Sequence, residues 1–189
     1  MRKQIVKIIV YIILLSAVIF VYRPLMKLDN NYAVVTDGMA DLTGFDFTQT
    51  RARVYAQGWE YYPNRLYSPQ DFQTGVIEPP VYENNVNSAA YGTYRVTLLL
   101  LPGKTYGMTG RSFLYSTRAY INGELAGEIG SPGESAEKTT PRTNTYAFYF
   151  TPQSDNTEII FQVANFQMKD GGGSYSFLLA KRAKWNSTG

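Results

Sequence analysis

Tyr120-Ile121-Asn122-Gly123-Glu124-Leu125 is the stretch that decides the fold class. Asn-Gly accepts positive φ at both central positions of a type I′ turn, whose twist matches the two strands it joins. The residues on either side are β-prone, so the stretch predicts a tight antiparallel hairpin. Working outward, short apolar or alternating runs punctuated by Gly, Pro and Asn predict strands over 32–35, 52–56, 59–62, 93–101, 116–121, 125–129, 145–150, 158–163 and 175–179. The run 96–101 (VTLLLL) reads as a central strand buried on both faces. Aromatic residues make up 15% of the chain, tyrosine foremost, a composition suited to pleated, half-buried surfaces. Beyond residue 30 no segment carries convincing helical periodicity. The fold class is therefore all-β, an antiparallel β-sandwich or jelly roll. Two stretches, 68–90 and 130–144, read as long irregular loops, which in a sandwich collect at the ends of the sheets.

Composition removes whole classes of chemistry. The 189 residues include no Cys and no His. Disulfide scaffolds, Cys- or His-ligated zinc, and Ser-His-Asp or Cys-His nucleophiles are all excluded. The net charge of +3 hides a segregation. Basic residues cluster at the two ends: Arg2, Lys3, Lys7, Arg23 and Lys27, then Lys181, Arg182 and Lys184. Residues 29–180 hold ten basic against fifteen acidic side chains, a balance of −5. A nucleic-acid partner would require a basic patch on the folded body, and this body is mildly acidic.

Residues 8–22 (IIVYIILLSAVIFVY) carry no charge, and Ile5 and Val6 extend the run across Lys7. At ~1.5 Å per residue, residues 5–22 would span ~27 Å as a helix, close to the hydrocarbon thickness of a bilayer. Lys7 reaches the headgroups by snorkelling. The slight excess of positive charge before the run places the N-terminus in the cytoplasm and the remainder outside. Val21-Tyr22-Arg23-Pro24 is a poor cleavage site, so the expectation is an uncleaved signal-anchor in the cell membrane. The domain plan is a signal-anchor helix over 1–24, a linker with the first strand over 25–36, a jelly-roll ectodomain over 37–182 and a membrane-proximal tail over 183–189.

Several phrases recur in a fixed order: Asp41-Leu42-Thr43, Gly58-Trp59-Glu60-Tyr61-Tyr62, Tyr67-Ser68-Pro69-Gln70-Asp71-Phe72, Tyr91-Gly92-Thr93-Tyr94-Arg95-Val96, the hairpin with its preceding Ala119, Ile129-Gly130, Thr140-Pro141-Arg142, Phe161-Gln162-Val163-Ala164-Asn165-Phe166 and Gly171-Gly172-Gly173. This succession, over about 37–180, resembles the extracellular sensory domain of bacterial seven-transmembrane receptors with diverse intracellular signalling modules. The resemblance implies a galactose-binding-type jelly roll ahead of a membrane bundle, with a histidine kinase or diguanylate cyclase as output. It also implies a homodimeric receptor that binds a carbohydrate or another small extracellular molecule, and a further membrane helix soon after residue 189. The alternative is an anchored carbohydrate-binding or adhesion module without output. A glycosidase or accessory deacetylase is a third reading, for which no motif nominates a carboxylate pair.

A sugar ligand calls for an aromatic platform with planar polar groups beside it. Trp59 is a candidate platform, although its Gly58-Trp59 context reads first as a core tryptophan under a hairpin. Tyr61 and Tyr62 alternate, so one is expected inside and one outside. Arg95, at the head of an apolar strand, must find an anion, either a structural acidic partner or a ligand. Tyr115, Arg118 and Tyr120 are expected on one face in the absence of a bulge, with Ser116 on the other. Arg142 follows Pro141 in the second loop. Asn165 and Gln167 flank Phe166, Asn165 being also suited to hold its own backbone. Gly171-Gly172-Gly173 reads as a turn. No catalytic residue and no cofactor are expected. Asp37, Asp41 and Asp46 offer oxygen ligands to a structural calcium, without the spacing of an EF-hand.

Overall fold

A computed structural model describes residues 31–48, 50–82, 90–167 and 176–182, and residues 4, 7, 11, 12, 14 and 16 nearer the N-terminus; of 112–115 it describes the backbone alone. The chain divides into two units, Met1–Asn30 and Asn31–Gly189. In the first, the six described residues are helical and exposed. Among the described residues no helix is long and apolar enough to cross a membrane. Most of the span expected over 5–22, the first half of the linker over 25–36, the glycine turn at 171–173 and the tail at 183–189 lie outside the described residues.

The second unit is a sandwich-like assembly of β-sheets. Its strands are β1 (Tyr32–Ala33), β2 (Met39–Asp41), β3 (Ala52–Tyr55), β4 (Glu60–Pro63), β5 (Tyr91–Leu99), β6 (Tyr106–Ile121), β7 (Glu124–Ile129), β8 (Arg142–Phe150), β9 (Asn156–Ala164) and β10 (Ser176–Lys181). One helix, α1 (Pro69–Thr74), interrupts them. The first sheet runs β1-β3-β10-β6-β8. In the second, β5 is flanked by β9 on one edge and by β2 and β4 on the other, and β9 continues to β6 and β7. The β1–β3 and β2–β5 pairs are parallel and the rest antiparallel.

β6 belongs to both sheets. Residues 106–115 pair with β10 and β8, and 116–121 pair with β9 and β7. The register with β8 shifts between Ser112 and Tyr115, where the strand passes from one sheet to the other. Such an irregularity bends a strand and sharpens its twist, which lets one strand serve two sheets. At its end, Asn122 (φ 49°) and Gly123 (φ 85°) form the expected hairpin turn. Asn122 also locks onto β9: its N–H donates to Glu158 O at 2.9 Å and its Oδ1 accepts from Glu158 N at 2.8 Å.

The core lies between the sheets. Val54, Val96, Leu98, Leu100, Met108, Ile159 and Leu179 are fully buried, and Tyr106 and Phe177 nearly so. At about 25 cal/mol per Å² of apolar surface, this burial is the main stabilising term. Two expectations need correction. The run 96–101 is central but alternates: Val96, Leu98 and Leu100 point inward, while Leu101 is 44% exposed. Tyr61 and Tyr62 do face opposite ways, yet both are buried. Tyr61 stacks on Tyr94 inside, and Tyr62 packs edge-on against Tyr67 and Phe72 outside.

The cover over Tyr62 comes from the stretch expected to be an irregular loop. Ser68 and Asp71 start α1 by a capping interaction in which Asp71 Oδ2 accepts from the Ser68 N–H and hydroxyl, each at 2.7 Å. Pro69 stands at the first turn, where its missing N–H costs nothing. The segment then lies on the outer face of the second sheet. Thr93 Oγ1 accepts from Tyr67 N and donates to Arg65 O, and Gln162 Nε2 donates to Leu66 O and Tyr67 O.

Candidate functional site

The register of the second sheet places three of the sequence candidates on its outer face. Arg95 and Tyr120 lie on either side of Ile160, and Arg118 lies beside Gln162. The unbroken register of 116–121 against β9 puts Ser116 on the same face as Arg118 and Tyr120. That agrees with the expected shared face of Arg118 and Tyr120 and overturns the placement of Ser116 opposite them. The Tyr115 side chain itself lies outside the described side chains.

Acidic partners engage both arginines of this face. Arg95 Nε donates to Glu158 Oε1 at 2.7 Å and its NH1 to Glu60 Oε2 at 3.0 Å. Its guanidinium carbon stands 4.7 Å from the Phe72 ring centroid. Burial works against the charge, but the hydrogen bonds and charges of Glu158 and Glu60 outweigh it and hold Arg95 above the ordinary guanidinium range. Glu60 also accepts from the Tyr62 hydroxyl at 2.8 Å. Arg118 bridges Gln162 Oε1 (3.1 Å) and Glu128 Oε1 (2.8 Å). Here too burial opposes the charge and Glu128 more than restores it. An open polar hollow of about 420 Å³, lined by Gln73, Thr97, Asn156 and others, adjoins Arg95.

The other candidates are dispersed. Arg142 begins β8, exposed, opposite Tyr115. Asn165 is buried and its Oδ1 accepts from the Gln167 N–H at 3.1 Å, so it braces its own backbone. Gln167 is exposed beside a separate small pocket with Phe166 and Pro141. Asp37, Asp41 and Asp46 do not converge: among the described residues no cluster of three or more acidic side chains is placed to hold a metal ion. Asp41 Oδ1 accepts from Thr43 N and Oγ1, and Asp46 Oδ1 likewise from Thr48. These hydrogen bonds, the side-chain one first, lower both carboxyl pKa values.

Trp59 is 2% exposed, so its reading as a core tryptophan holds and the exposed-platform reading does not. Its ring stacks on Phe161 (centroids 5.9 Å apart) and tilts against Phe177 (5.7 Å). It nevertheless forms part of the floor of a cleft of about 280 Å³ in the first sheet. The cleft follows from the register. β10 pairs with β6 only from Leu178 onward, opposite Thr109. Among the described residues, Ser176 and Phe177 pair with β3 alone, and Gly110 and Arg111 pair with β8 alone. The sheet therefore parts between β10 and β6. Trp59, Phe161, Phe177 and Thr117 close the gap from inside, and Tyr146 walls one side. Arg53, Arg111, Thr145 and Ser176 stand at its rim.

Trp59 Nε1 is buried without a hydrogen-bond acceptor among the described residues; an indole N–H in that state costs about 1–3 kcal/mol until something accepts from it. The Tyr146 ring and hydroxyl occupy the space where a Cβ on Gly110 would stand, so this glycine lets the tyrosine lie across β6. Sequence reasoning missed Arg53, Arg111 and Tyr146. Only the β3–β10–β6 adjacency, which links residues far apart in the chain, brings them together.

No protein-family model matches the chain, and no curated protein matches it. Among solved structures it is similar to a GH2 β-galacturonidase from Eisenbergiella tayi bound to glycerol, with a TM-score of 0.41 and 9% identity over 70% of this chain and 24% of that one. The β-glucuronidase of Ruminococcus gnavus gives a TM-score of 0.43 and 12% identity, over 70% of this chain and 29% of that one. The Faecalibacterium prausnitzii β-glucuronidase gives 0.36 and 16%, over 62% and 21%. The chain spans about a quarter of the length of these enzymes.

Proposed function

We propose that this chain is a ligand-recognition module of the β-sandwich class that holds a carbohydrate or similar small hydroxylated molecule in the cleft between β10 and β6. The observation that carries the reading is the make-up of that cleft: an aromatic floor with an indole N–H lacking a described acceptor, edged by hydroxyl and guanidinium groups. Aromatic faces pack on the apolar face of a sugar ring, and planar polar groups bind its hydroxyls. Recognition without catalysis is favoured because the described lining residues bring no carboxylate, and the chain has no His or Cys.

The finer reading is an extracytoplasmic sensory domain of a membrane signalling receptor, with a galactose-binding-type jelly roll tethered through residues 5–22. The ordered sequence phrases and the apolar N-terminal run support it. Ligand binding would then bias an equilibrium between arrangements of the membrane helices. Alkaline phosphatase fused after residue 182 is expected to be active in cells, since that enzyme works only outside the cytoplasm. An inactive fusion at normal expression overturns the extracytoplasmic placement.

Saturation-transfer NMR of the full chain against a panel of neutral and acidic mono- and oligosaccharides tests recognition. Binding is expected for at least one sugar and is lost in Gly110→Val, which displaces the Tyr146 wall. Silence across the panel, from protein that unfolds cooperatively in denaturant, overturns the reading.

A further inference from the structure

We propose that the outer face of the first sheet is a platform on which an extended acidic polysaccharide lies, its carboxylates met by Arg53 and Arg182 and its rings by Tyr55 and Tyr149. This surface is additional to the cleft and uses exposed side chains only. The two sheets segregate charge. β1, β3, β8, β10 and residues 106–115 of β6 contain Arg53, Arg111, Arg142 and Lys181 and no Asp or Glu. The strands of the second sheet contain Asp41, Glu60, Glu124, Glu128 and Glu158. In a body with a balance of −5, the charged residues of one layer are thus all basic. A polyanion approaching this domain is drawn to that layer and repelled from the other.

Alternation decides which side chains look outward. The buried positions of β3, β6 and β10 alternate with Arg53, Tyr55, Thr109, Leu178 and Ala180, which therefore face away from the core. Tyr149 leaves β8 on the same side and lies over Gly107, where a Cβ would come within 3.0 Å of its ring. Each arginine stands beside a tyrosine. Arg53 is 5.9 Å from the Tyr55 ring centroid and Arg182 is 5.6 Å from that of Tyr149. These contacts steady the guanidinium groups without neutralising them. All four side chains are exposed, Tyr149 at 67% and Tyr55 at 40%. Among the described residues neither arginine forms an ion pair.

The register sets the span. Arg53, Leu178, Thr109 and Ala147 form one row across β3, β10, β6 and β8. Tyr55 lies two residues to one side of that row and Tyr149 two residues to the other. Three strand spacings across and four residues along separate the two rings by about 20 Å. The outward residues between them are small (Gly107, Thr109, Ala147, Ser176 and Ala180) apart from Leu178. A monosaccharide cannot touch both arginine–tyrosine pairs, and an extended chain of sugars can. Guanidinium forks match carboxylates, and phenol rings pack on the apolar faces of sugar rings. A peptide held by its backbone needs a sheet edge, which this face does not offer.

The test measures binding of polygalacturonate and alginate to the immobilised full chain, against their methyl esters and poly-L-glutamate. At least one of the two acidic polysaccharides is expected to bind about tenfold or more tighter than its ester and than poly-L-glutamate, and to weaken as salt rises. Arg53→Gln, Arg182→Gln and Tyr149→Ala are each expected to lower that affinity about fivefold, with the urea midpoint unchanged in the two arginine variants. Arg65→Gln removes the same charge elsewhere and is expected to change the affinity less than about twofold. Esters or poly-L-glutamate that bind as tightly, or an Arg65→Gln as damaging as Arg53→Gln, overturn the platform. So does silence from both acidic polysaccharides, and that result leaves small-sugar recognition in the cleft standing.

Discussion

The outer face of the second sheet and the cleft in the first both present arginines projecting from β-strands, but they use them in opposite ways. On the outer face, Glu60 and Glu158 hold Arg95, and Glu128 and Gln162 hold Arg118. The 63–75 segment folds over the same surface, so Thr93, Ile160 and Gln162 are buried there. At the cleft, Arg53 and Arg111 border an opening with no described carboxylate. Arginines facing glutamates complete the structure, whereas under the proposed reading those at the cleft rim border the place where a ligand sits.

The largest effect that sharpens this contrast comes at alkaline pH. Burial pushes the Tyr61 phenol up to about 12. Burial, with help from the adjacent Glu60, pushes Tyr62 higher still. Both native values lie above the ordinary 10.0, so each tyrosine's contribution is intact below pH 10 and is lost as pH rises through the native values. Denaturant midpoints should hold level from pH 7 to 9 and then fall, less steeply in Tyr61→Phe and Tyr62→Phe. Next in size is Arg95→Ala. It leaves Glu60 and Glu158 facing each other partly desolvated and strips the Phe72 ring of its cation, a loss of about 2–3 kcal/mol by urea unfolding. Arg118→Ala, in a more exposed pair, should cost about 1 kcal/mol. Arg53→Ala should change stability by no more than about 0.5 kcal/mol. If Arg53→Ala proved as damaging as Arg95→Ala, the two regions would be alike and the contrast would fail.

Much of the strand pattern was legible in the sequence, because alternating and apolar runs bounded by turn residues point to pleated structure without reference to distant residues. The Asn122-Gly123 turn is the clearest case. β2 escaped because three residues, paired in parallel to β5, carry no periodicity of their own. The first half of β6 escaped because Gly107, Thr109, Gly110 and Arg111 dilute its alternation. α1 is too short for a helical period, although Ser68, Pro69 and Asp71 spell out its start. Trp59 was legible as a core residue; its second role was not. No local feature separates Arg53 from Arg95. What separates them is the residue on the neighbouring strand, and that is decided by pairing across long stretches of chain.

Because a single strand threads both layers, neither layer is complete alone. Removing β6 would strip β10 and β8 of a neighbour in one sheet and β9 and β7 in the other. The two layers should therefore melt together. Deuterium uptake at the amides of Val96, Ile159, Met108 and Leu179 should report the same opening free energy, that of global unfolding.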